Sequence, residues 1–354
     1  MVNSLMKAKS LLGYLRKFCL STAQYRKRNI ICAQLPVRLW IEPTNICNLR
    51  CIMCPTGRGR LQNPGRMSLD LYRKIIDEAA AFAIDVNLIG RGEAFLHPEI
   101  GEMIRYAHQR GLNVRIETNA TVLSPEKSEE VIAAGLDFIS FSFDGYGKES
   151  YEHIRRGASF DATLGNILQF LQVKKRLAAE KPYTVLQFIE MLPFRERATP
   201  ESERQFKSRF RGLPLNSYRY VTPHRYVGEI EEGLTGTRYG YMKGMKHWRW
   251  LRKLKYTPCA YPWFSMHILW DGTVMPCCMD FHSRYVLGNV PESSLREMWN
   301  GEAMKALRRK LGSGSFADMP LCSRCDMLHQ TTILGISTKN IRDFKIFLQE
   351  NLLC

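Results

Sequence analysis

The sequence predicts an α/β protein built on a parallel sheet, and three observations carry that expectation. Short apolar runs alternate with longer stretches of helical periodicity from residue 38 to about residue 221. The alternation repeats six times, with turn residues between the runs. The chain has 354 residues and is 45% hydrophobic, so it can bury one large core plus an appendage. Six βα units fall short of the eight that close a barrel, so the architecture expected is a partial (β/α)6, TIM-like barrel with its site at the C-terminal ends of the strands.

The elements follow in order. Strand one is Arg38–Ile41. A helix then runs from the cap residue Ser68, with Asp70 close behind, to Phe82. Strand two is Val86–Ile89, and the helix from Pro98 to Gln109 ends at Gly111, a natural residue just past a helix terminus. Strand three is Val114–Thr118, followed by a helix from Ser124-Pro125 to Ala134. Strand four is Phe138–Phe143, and the helix from Asp161 to Leu177 carries Leu164, Ile167, Leu168 and Leu171 at helical spacing. Strand five is Thr184–Met191, a helix covers Glu201 to Arg209, and strand six is Ser217–Val221. Residues 223–258 break this rhythm with Tyr239, Tyr241, Trp248 and Trp250 among basic residues. They read as an insertion or linker that either lines a pocket or packs against a second domain. A hairpin, Phe264–Leu269 and Val274–Pro276, turns at Asp271-Gly272. A helix of about 294–311 lies beyond it, and residues 331–354 read as a last helix.

Composition narrows the function classes. The formal net charge of +17 favours a polyanionic partner: an anionic membrane surface, a phosphate-bearing substrate or nucleic acid. No RNA-binding module, fixed-period repeat or membrane span is evident. Eleven cysteines without a secretory signal point to a reducing, cytoplasmic compartment and to thiols that serve metals rather than disulfides. Residues 1–35 form a basic, amphipathic helical segment with Lys7, Lys9, Arg16 and Lys17 among leucines. Residues 1–30 either touch a membrane surface peripherally or cover the barrel.

The chemistry sits after strand one, in Glu42-Pro-Thr-Asn-Ile-Cys-Asn-Leu-Arg-Cys-Ile-Met-Cys-Pro55. Cys47, Cys51 and Cys54 form a C-x3-C-x2-C triplet. Three thiolates on one loop can hold three irons of a cubane, whereas a closed cubane takes four. The alternatives are a zinc knuckle lacking a ligand and unconnected buried thiols. This triplet resembles the signature loop of the radical S-adenosylmethionine (radical SAM) enzymes. The resemblance implies a [4Fe–4S] cluster whose open iron is chelated by the amino and carboxylate groups of SAM, reductive cleavage to a 5′-deoxyadenosyl radical, and hydrogen abstraction from substrate.

The same resemblance marks further loops. Gly90-Arg91-Gly92-Glu93 follows strand two where the family carries Gly-Gly-Glu-Pro, so Gly92 and Glu93 are expected to bind the SAM amino group. Arg91 and Ala94 depart from that pattern. Asn119, in Thr-Asn-Ala, is either a ribose contact or a cap on its turn. Ser142, in Ser-Phe-Asp-Gly, is placed to reach the SAM carboxylate or ribose, with Asp144 shaping the turn. Arg155 matches an arginine that pairs the SAM carboxylate, with Arg156 as its neighbouring alternative.

A second cysteine set follows. Gly272-x4-Cys277, then Cys322-x2-Cys325, resembles the SPASM/twitch appendages of radical SAM enzymes. The resemblance implies one auxiliary [4Fe–4S] cluster held by Cys259, Cys277, Cys322 and Cys325 in a small α+β domain over 259–330. Cys278 is the alternative to Cys277, and four-cysteine zinc is the alternative metal. The spacing is most similar to that of a radical SAM dehydrogenase acting on an amino-cyclitol. The expected activity is therefore oxidation of a hydroxyl-bearing carbon on a sugar or cyclitol, small or glycan, phosphorylated or lipid-linked, with a flavodoxin- or ferredoxin-type electron donor and no specific nucleic acid. A peptide maturase, an epimerase using Cys278 and a zinc-binding interaction module are the competing readings. No general base stands out among His224, His247, Glu190 and the arginines.

Overall fold

A computed structural model describes residues 2–59, 63–191, 194, 197–221, 223, 255–325, 328–330, 332–333 and 336–337. Six strands form its parallel core: β1 (Arg38–Ile41), β2 (Asp85–Leu88), β3 (Asn113–Thr118), β4 (Phe138–Ser142), β5 (Tyr183–Ile189) and β6 (Ser217–Val221). They pair side by side in chain order, as expected of a partial (β/α)6 barrel.

Between them run α2 (Leu69–Ala79), α3 (Ile100–Gln109), α4 (Pro125–Ala133), α5 (Lys148–Ile154), α6 (Phe160–Arg176) and α7 (Pro200–Ser208), after an N-terminal α1 (Val2–Arg26). Side-chain caps start four of these helices: Ser68, Ser124, Ser159 and Thr199 accept hydrogen bonds from the backbone of Leu71, Lys127, Ala162 and Ser202. Helix α5 has no counterpart among the expected elements. Its apolar positions are few, and it follows β4 with a glycine in place of a polar cap.

Side chains alternate across each strand. Leu39, Ile41, Val86, Leu88, Val114, Ile116, Ile139, Phe141, Leu186 and Phe188 are fully buried and join the core shared with the helices. The opposite, inner face is mainly polar: Arg38, Trp40, Asp85, Asn87, Arg115, Ser140, Ser142 and Gln187 lie there by register, with the buried Phe138 and Val185 among them. A hydrocarbon lining would offer a polar ligand nothing; these side chains turn hydrogen-bonding groups toward the barrel interior.

The hairpin arrives as expected, as β8 (Ser265–Ile268) and β9 (Thr273–Met275) after a two-residue β7 (Lys255–Tyr256). Its position was not foreseen. Strand β8 pairs in parallel with the free edge of β1, so β8, β9 and β10 (Gly288–Asn289) extend the barrel sheet to nine strands. His267 thereby sits beside Trp40. The single helix expected over 294–311 is two, Leu295–Trp299 and Glu302–Ser313. Asn300 interrupts it, accepting from the Cys32 backbone and from Arg308 through Oδ1.

Helix α1 crosses the N-terminal ends of the strands. Tyr14 packs on Val37 and Ile84, which precede β1 and β2, and Lys17 donates to the Ala83 carbonyl. Tyr25 packs against Trp263 and donates to the Pro258 carbonyl at 2.8 Å. One face of residues 12–26 is thus a cover on the barrel floor. Most of the aromatic stretch 223–258 lies outside the described residues, including His224, Tyr239, Tyr241, His247, Trp248 and Trp250. The helix expected over 331–354 also lies mostly outside them; its described residues, Thr332–Ile333 and Ile336–Ser337, pair as short antiparallel strands.

Candidate active site

The cysteine loop leaves the C-terminal end of β1 and is tied to the loops that follow β2 and β4. Arg50 and Ile52 donate backbone hydrogen bonds to Arg156 and Ile154 beyond β4, at 2.9 and 3.0 Å. The Thr56 hydroxyl donates to the Arg91 carbonyl after β2 at 2.7 Å. Glu93 donates its N–H to the Ile46 carbonyl at 2.9 Å. These ties hold the loop at the barrel mouth, with Cys51 buried and Cys47 and Cys54 half-buried. Burial raises the Cys47 thiol and pushes Cys51 up to about 12; nearby Cys54 raises both further, and the Arg155 guanidinium opposes this at both. Thiols so placed stay protonated until a metal displaces the proton.

Gly92 is required by close approach rather than by its backbone angle. A Cβ there would lie 2.4 Å from the Thr44 carbonyl oxygen and 2.5 Å from that of Ile46. Glu93 is 3% exposed, and its carboxylate accepts from Phe95 N–H, the Thr118 hydroxyl at 2.7 Å and Asn119 N–H at 2.8 Å. Burial raises its pKa against those three bonds. Its carboxylate is therefore bound mostly within the chain, locking the ends of β2 and β3 together. Asn119 is the cap on its turn and also reaches the cysteine loop. Its Oδ1 accepts from Thr121 N–H, capping the turn, while Nδ2 donates to Asn48 at 3.0 Å and stands 4.0 Å from Cys47 Sγ.

Arg155 is 5% exposed and ion-pairs with the fully buried Asp144 at 2.6 Å. Its Nε has no hydrogen-bond partner. A buried guanidinium with one donor unspent, beside Cys51, suits a carboxylate arriving at the loop. Arg156 is exposed, and its carbonyl accepts from Arg50. Ser142 ends β4, half-buried on the inner face opposite Gln187.

Arg91, where the family pattern has glycine, has a structural use. Its backbone N–H donates to the buried Glu42 at 2.7 Å, and its side chain donates to Ser283 and lies over the Phe281 ring. It joins the β2 loop to the C-terminal region, a contact across 192 positions that no local pattern announces.

Deeper in the lumen the structure gathers residues that sequence reasoning missed. The Trp40 and His267 rings stack 5.5 Å apart at 5°, and Tyr261 meets His267 edge-on at 5.7 Å. Trp40 Nε1, His267 Nε2, Ser140 Oγ and Ser265 Oγ are all buried without a hydrogen-bond partner. Burial drives His267 down to about 3, so its ring is neutral. Alternation along two strands already places Trp40 and His267 on polar faces; the β1–β8 pairing that unites them was not legible.

The second cysteine set converges. Cys259, Cys277, Cys322 and Cys325 line one cavity with Pro262, Pro276, Met279, Tyr285, Leu307, Leu311, Leu321 and Leu328. Met279 donates its N–H to Cys277 Sγ at 3.3 Å. Cys278 does not line this cavity; its thiol lies 3.9 Å from the Tyr261 hydroxyl. Burial pushes Cys322 up to about 12, with Cys325 adding to the rise. Four sulfurs in an apolar pocket fit a fully ligated cluster, as three on a polar loop fit one with an open iron.

The sequence matches the radical SAM superfamily over residues 41–177 and the SPASM iron–sulfur cluster-binding domain over residues 259–326. The chain pairs a radical SAM domain with a SPASM domain. It is a radical SAM enzyme, and the two domains imply [4Fe–4S] clusters and SAM. The chain is similar to the tungsten-containing aldehyde ferredoxin oxidoreductase cofactor-modifying protein of Pyrococcus furiosus, with 25% identity over 83% of this chain and 90% of that protein. It is 33% identical to the AdoMet-dependent heme synthase of Methanosarcina barkeri over 36% of each chain, so that match spans about a third of the relative. Among solved structures, BtrN in complex with AdoMet and 2-DOIA shares the fold, with a TM-score of 0.54 and 15% identity over 83% of this chain and 94% of that one.

Proposed function

We propose that this radical SAM enzyme oxidises a hydroxyl-bearing carbon of a sugar- or cyclitol-type substrate, with Cys47, Cys51 and Cys54 holding the SAM-binding cluster and Cys259, Cys277, Cys322 and Cys325 an auxiliary one. When bound, SAM and the clusters supply hydrogen abstraction and a one-electron acceptor. Arg155, held in place by Asp144, would offer its unspent Nε to the SAM carboxylate. The Gly92 loop approaches the amino group with its backbone, and Glu93 fixes that loop against β3. Ser142 at the end of β4 and Asn119 after β3 would complete the SAM contacts.

The observation that carries the substrate class is the lumen. Trp40 Nε1, Ser140 Oγ, Ser265 Oγ and His267 Nε2 are buried and unpartnered there. Unmade hydrogen bonds of this kind cost on the order of 1–3 kcal/mol each. A ligand dense in hydroxyl groups would satisfy them, with the neutral His267 ring taking either role. A hydrocarbon ligand would leave all four unmet.

BtrN, the fold relative solved with 2-DOIA, is consistent with this reading. A peptide-maturase reading has its own support: a mycofactocin maturase of Mycobacterium tuberculosis is 32% identical over 126 residues. A partner reductant of flavodoxin or ferredoxin type would serve either. The experiment is deuterium transfer into 5′-deoxyadenosine by anaerobically reconstituted protein, given a panel of carbon-deuterated sugars and cyclitols. Transfer with a product three mass units lighter than the deuterated substrate, the deuterium and the hydroxyl proton both lost, supports oxidation. Transfer with recovery of a compound one mass unit lighter, deuterium replaced by solvent hydrogen, points to epimerisation. Transfer from peptides and from none of the sugars overturns the proposal.

A further inference from the structure

The face of helix α1 turned away from the barrel has a composition that the enzyme's chemistry does not use. The first acidic residue of the chain is Glu42, so the whole helix and the segment after it carry positive charge without compensation. Tyr14, Ser21 and Tyr25 point to the barrel floor. At 3.6 residues per turn, Leu12, Arg16, Cys19, Leu20 and Arg26 fall within about 120° of arc on the other side. That arc is exposed: Leu12 is 66% and Leu20 is 43% accessible, and Ile31, just past the helix, is 66%. Arg16 and Arg26 stand exposed between them.

We propose that this stripe docks the enzyme on an anionic lipid surface. Apolar side chains alternating with arginines, and with no carboxylate among them, match a surface that presents phosphate headgroups over hydrocarbon. A nucleic acid would use the arginines and leave Leu12, Leu20 and Ile31 in water. A second copy of this chain would set arginine against arginine across a two-fold axis. A single short apolar stripe gives reversible, salt-sensitive attachment rather than insertion; no helix among the described residues is long and apolar enough to cross a membrane.

The placement has a consequence for access. Helix α1 lies on the N-terminal ends of the strands, and the cysteine loop leaves the C-terminal end of β1. A docked enzyme therefore turns its barrel mouth away from the lipid, open to soluble SAM, reductant and substrate.

The test is sedimentation of the full-length protein with phosphatidylcholine vesicles, with and without about 30% phosphatidylglycerol. Binding is expected to the anionic vesicles alone, weakening as salt is raised. Arg16→Gln and Arg26→Gln should each weaken it roughly fivefold, the effect of losing one cation near a charged surface. Leu12→Ser with Leu20→Ser, which leaves every charge in place, should also release the protein. SAM cleavage in solution should be unchanged in all of these variants, which separates lost docking from lost folding. Equal binding to neutral vesicles, no binding to either, or full binding by the leucine variant overturns the proposal. So does a dimer, or a tight complex with single-stranded DNA, that the same leucine substitutions abolish.

Discussion

The two cysteine sites differ in how the chain builds them. The triplet occupies eight consecutive positions, Cys47 to Cys54, and its surroundings are polar and charged: Asn119 beside Cys47, Arg155 beside Cys51. The second site draws Cys259, Cys277, Cys322 and Cys325 from three separate segments into an apolar cavity. A local loop with donors around it leaves room for a ligand that brings its own carboxylate and amine. An apolar pocket lined by four sulfurs leaves no iron open for one. The proposed division of work, chemistry at the first and electron storage at the second, rests on that difference.

Removing cysteines should break that contrast most sharply. Cys51→Ser is expected to abolish reductive SAM cleavage and remove about four irons per chain, read by iron assay and the visible spectrum. Cys322→Ser should remove a similar amount of iron yet leave SAM cleavage without substrate intact. Loss of SAM cleavage in both variants would mean that the sites are not independent. A finer comparison lies within the second site. Cys277→Ser should lose the auxiliary iron and Cys278→Ser should keep it, because Cys278 faces Tyr261 instead of the cavity.

The contrast also explains what could be read from the sequence. The triplet was legible because its ligands are close in sequence and follow a strand, so spacing alone gives geometry. The parallel core was legible for the same reason: each βα unit is local, and caps such as Ser68 and Ser124 mark where helices begin. Strand β6 falls where expected, at Ser217–Val221. What was hidden depends on contacts between distant segments. The pairing of β8 with β1, the reach of Arg91 to Ser283, and the Trp40–His267 stack join residues about two hundred positions apart. The Arg155–Asp144 pair was half-visible. Both residues stood out as motif members, but Asp144 as the partner that holds the arginine did not.

That pair supplies the next effect in size. Replacing one member of a buried ion pair strands the other's charge, at a cost of about 3–5 kcal/mol. Arg155→Met should therefore lower the unfolding free energy by that order, measured by denaturant titration of protein lacking clusters. It should also weaken SAM binding to reconstituted protein. Burial already raises Asp144's pKa, and without Arg155 it would rise further, so the carboxyl would take up a proton. Asp144→Asn combined with Arg155→Met should then cost less than the two changes added separately. Additive costs would show that the two side chains do not act as a pair.

The smallest effect is a pH dependence, and it probes the lumen rather than either cysteine site. His267 has its pKa lowered to about 3 by burial, far below the value near 6.5 of an exposed histidine. Below pH 6.5 the unfolded chain takes up a proton there and the folded one does not, so stability present above pH 6.5 is lost as the pH falls toward 3. The expected loss attributable to this one ring is about 1.4 kcal/mol between pH 7.5 and 5.5. His267→Phe keeps a flat ring against Trp40 and removes the titration, so its stability should fall less over that interval than that of the parent chain. Identical pH profiles would mean that the ring is solvated in the folded protein, and an unpartnered Nε2 facing a dry lumen could no longer support a hydroxyl-rich ligand. The comparison tests the substrate class without knowing the substrate, because it asks whether the lumen withholds water from the groups a sugar would have to satisfy.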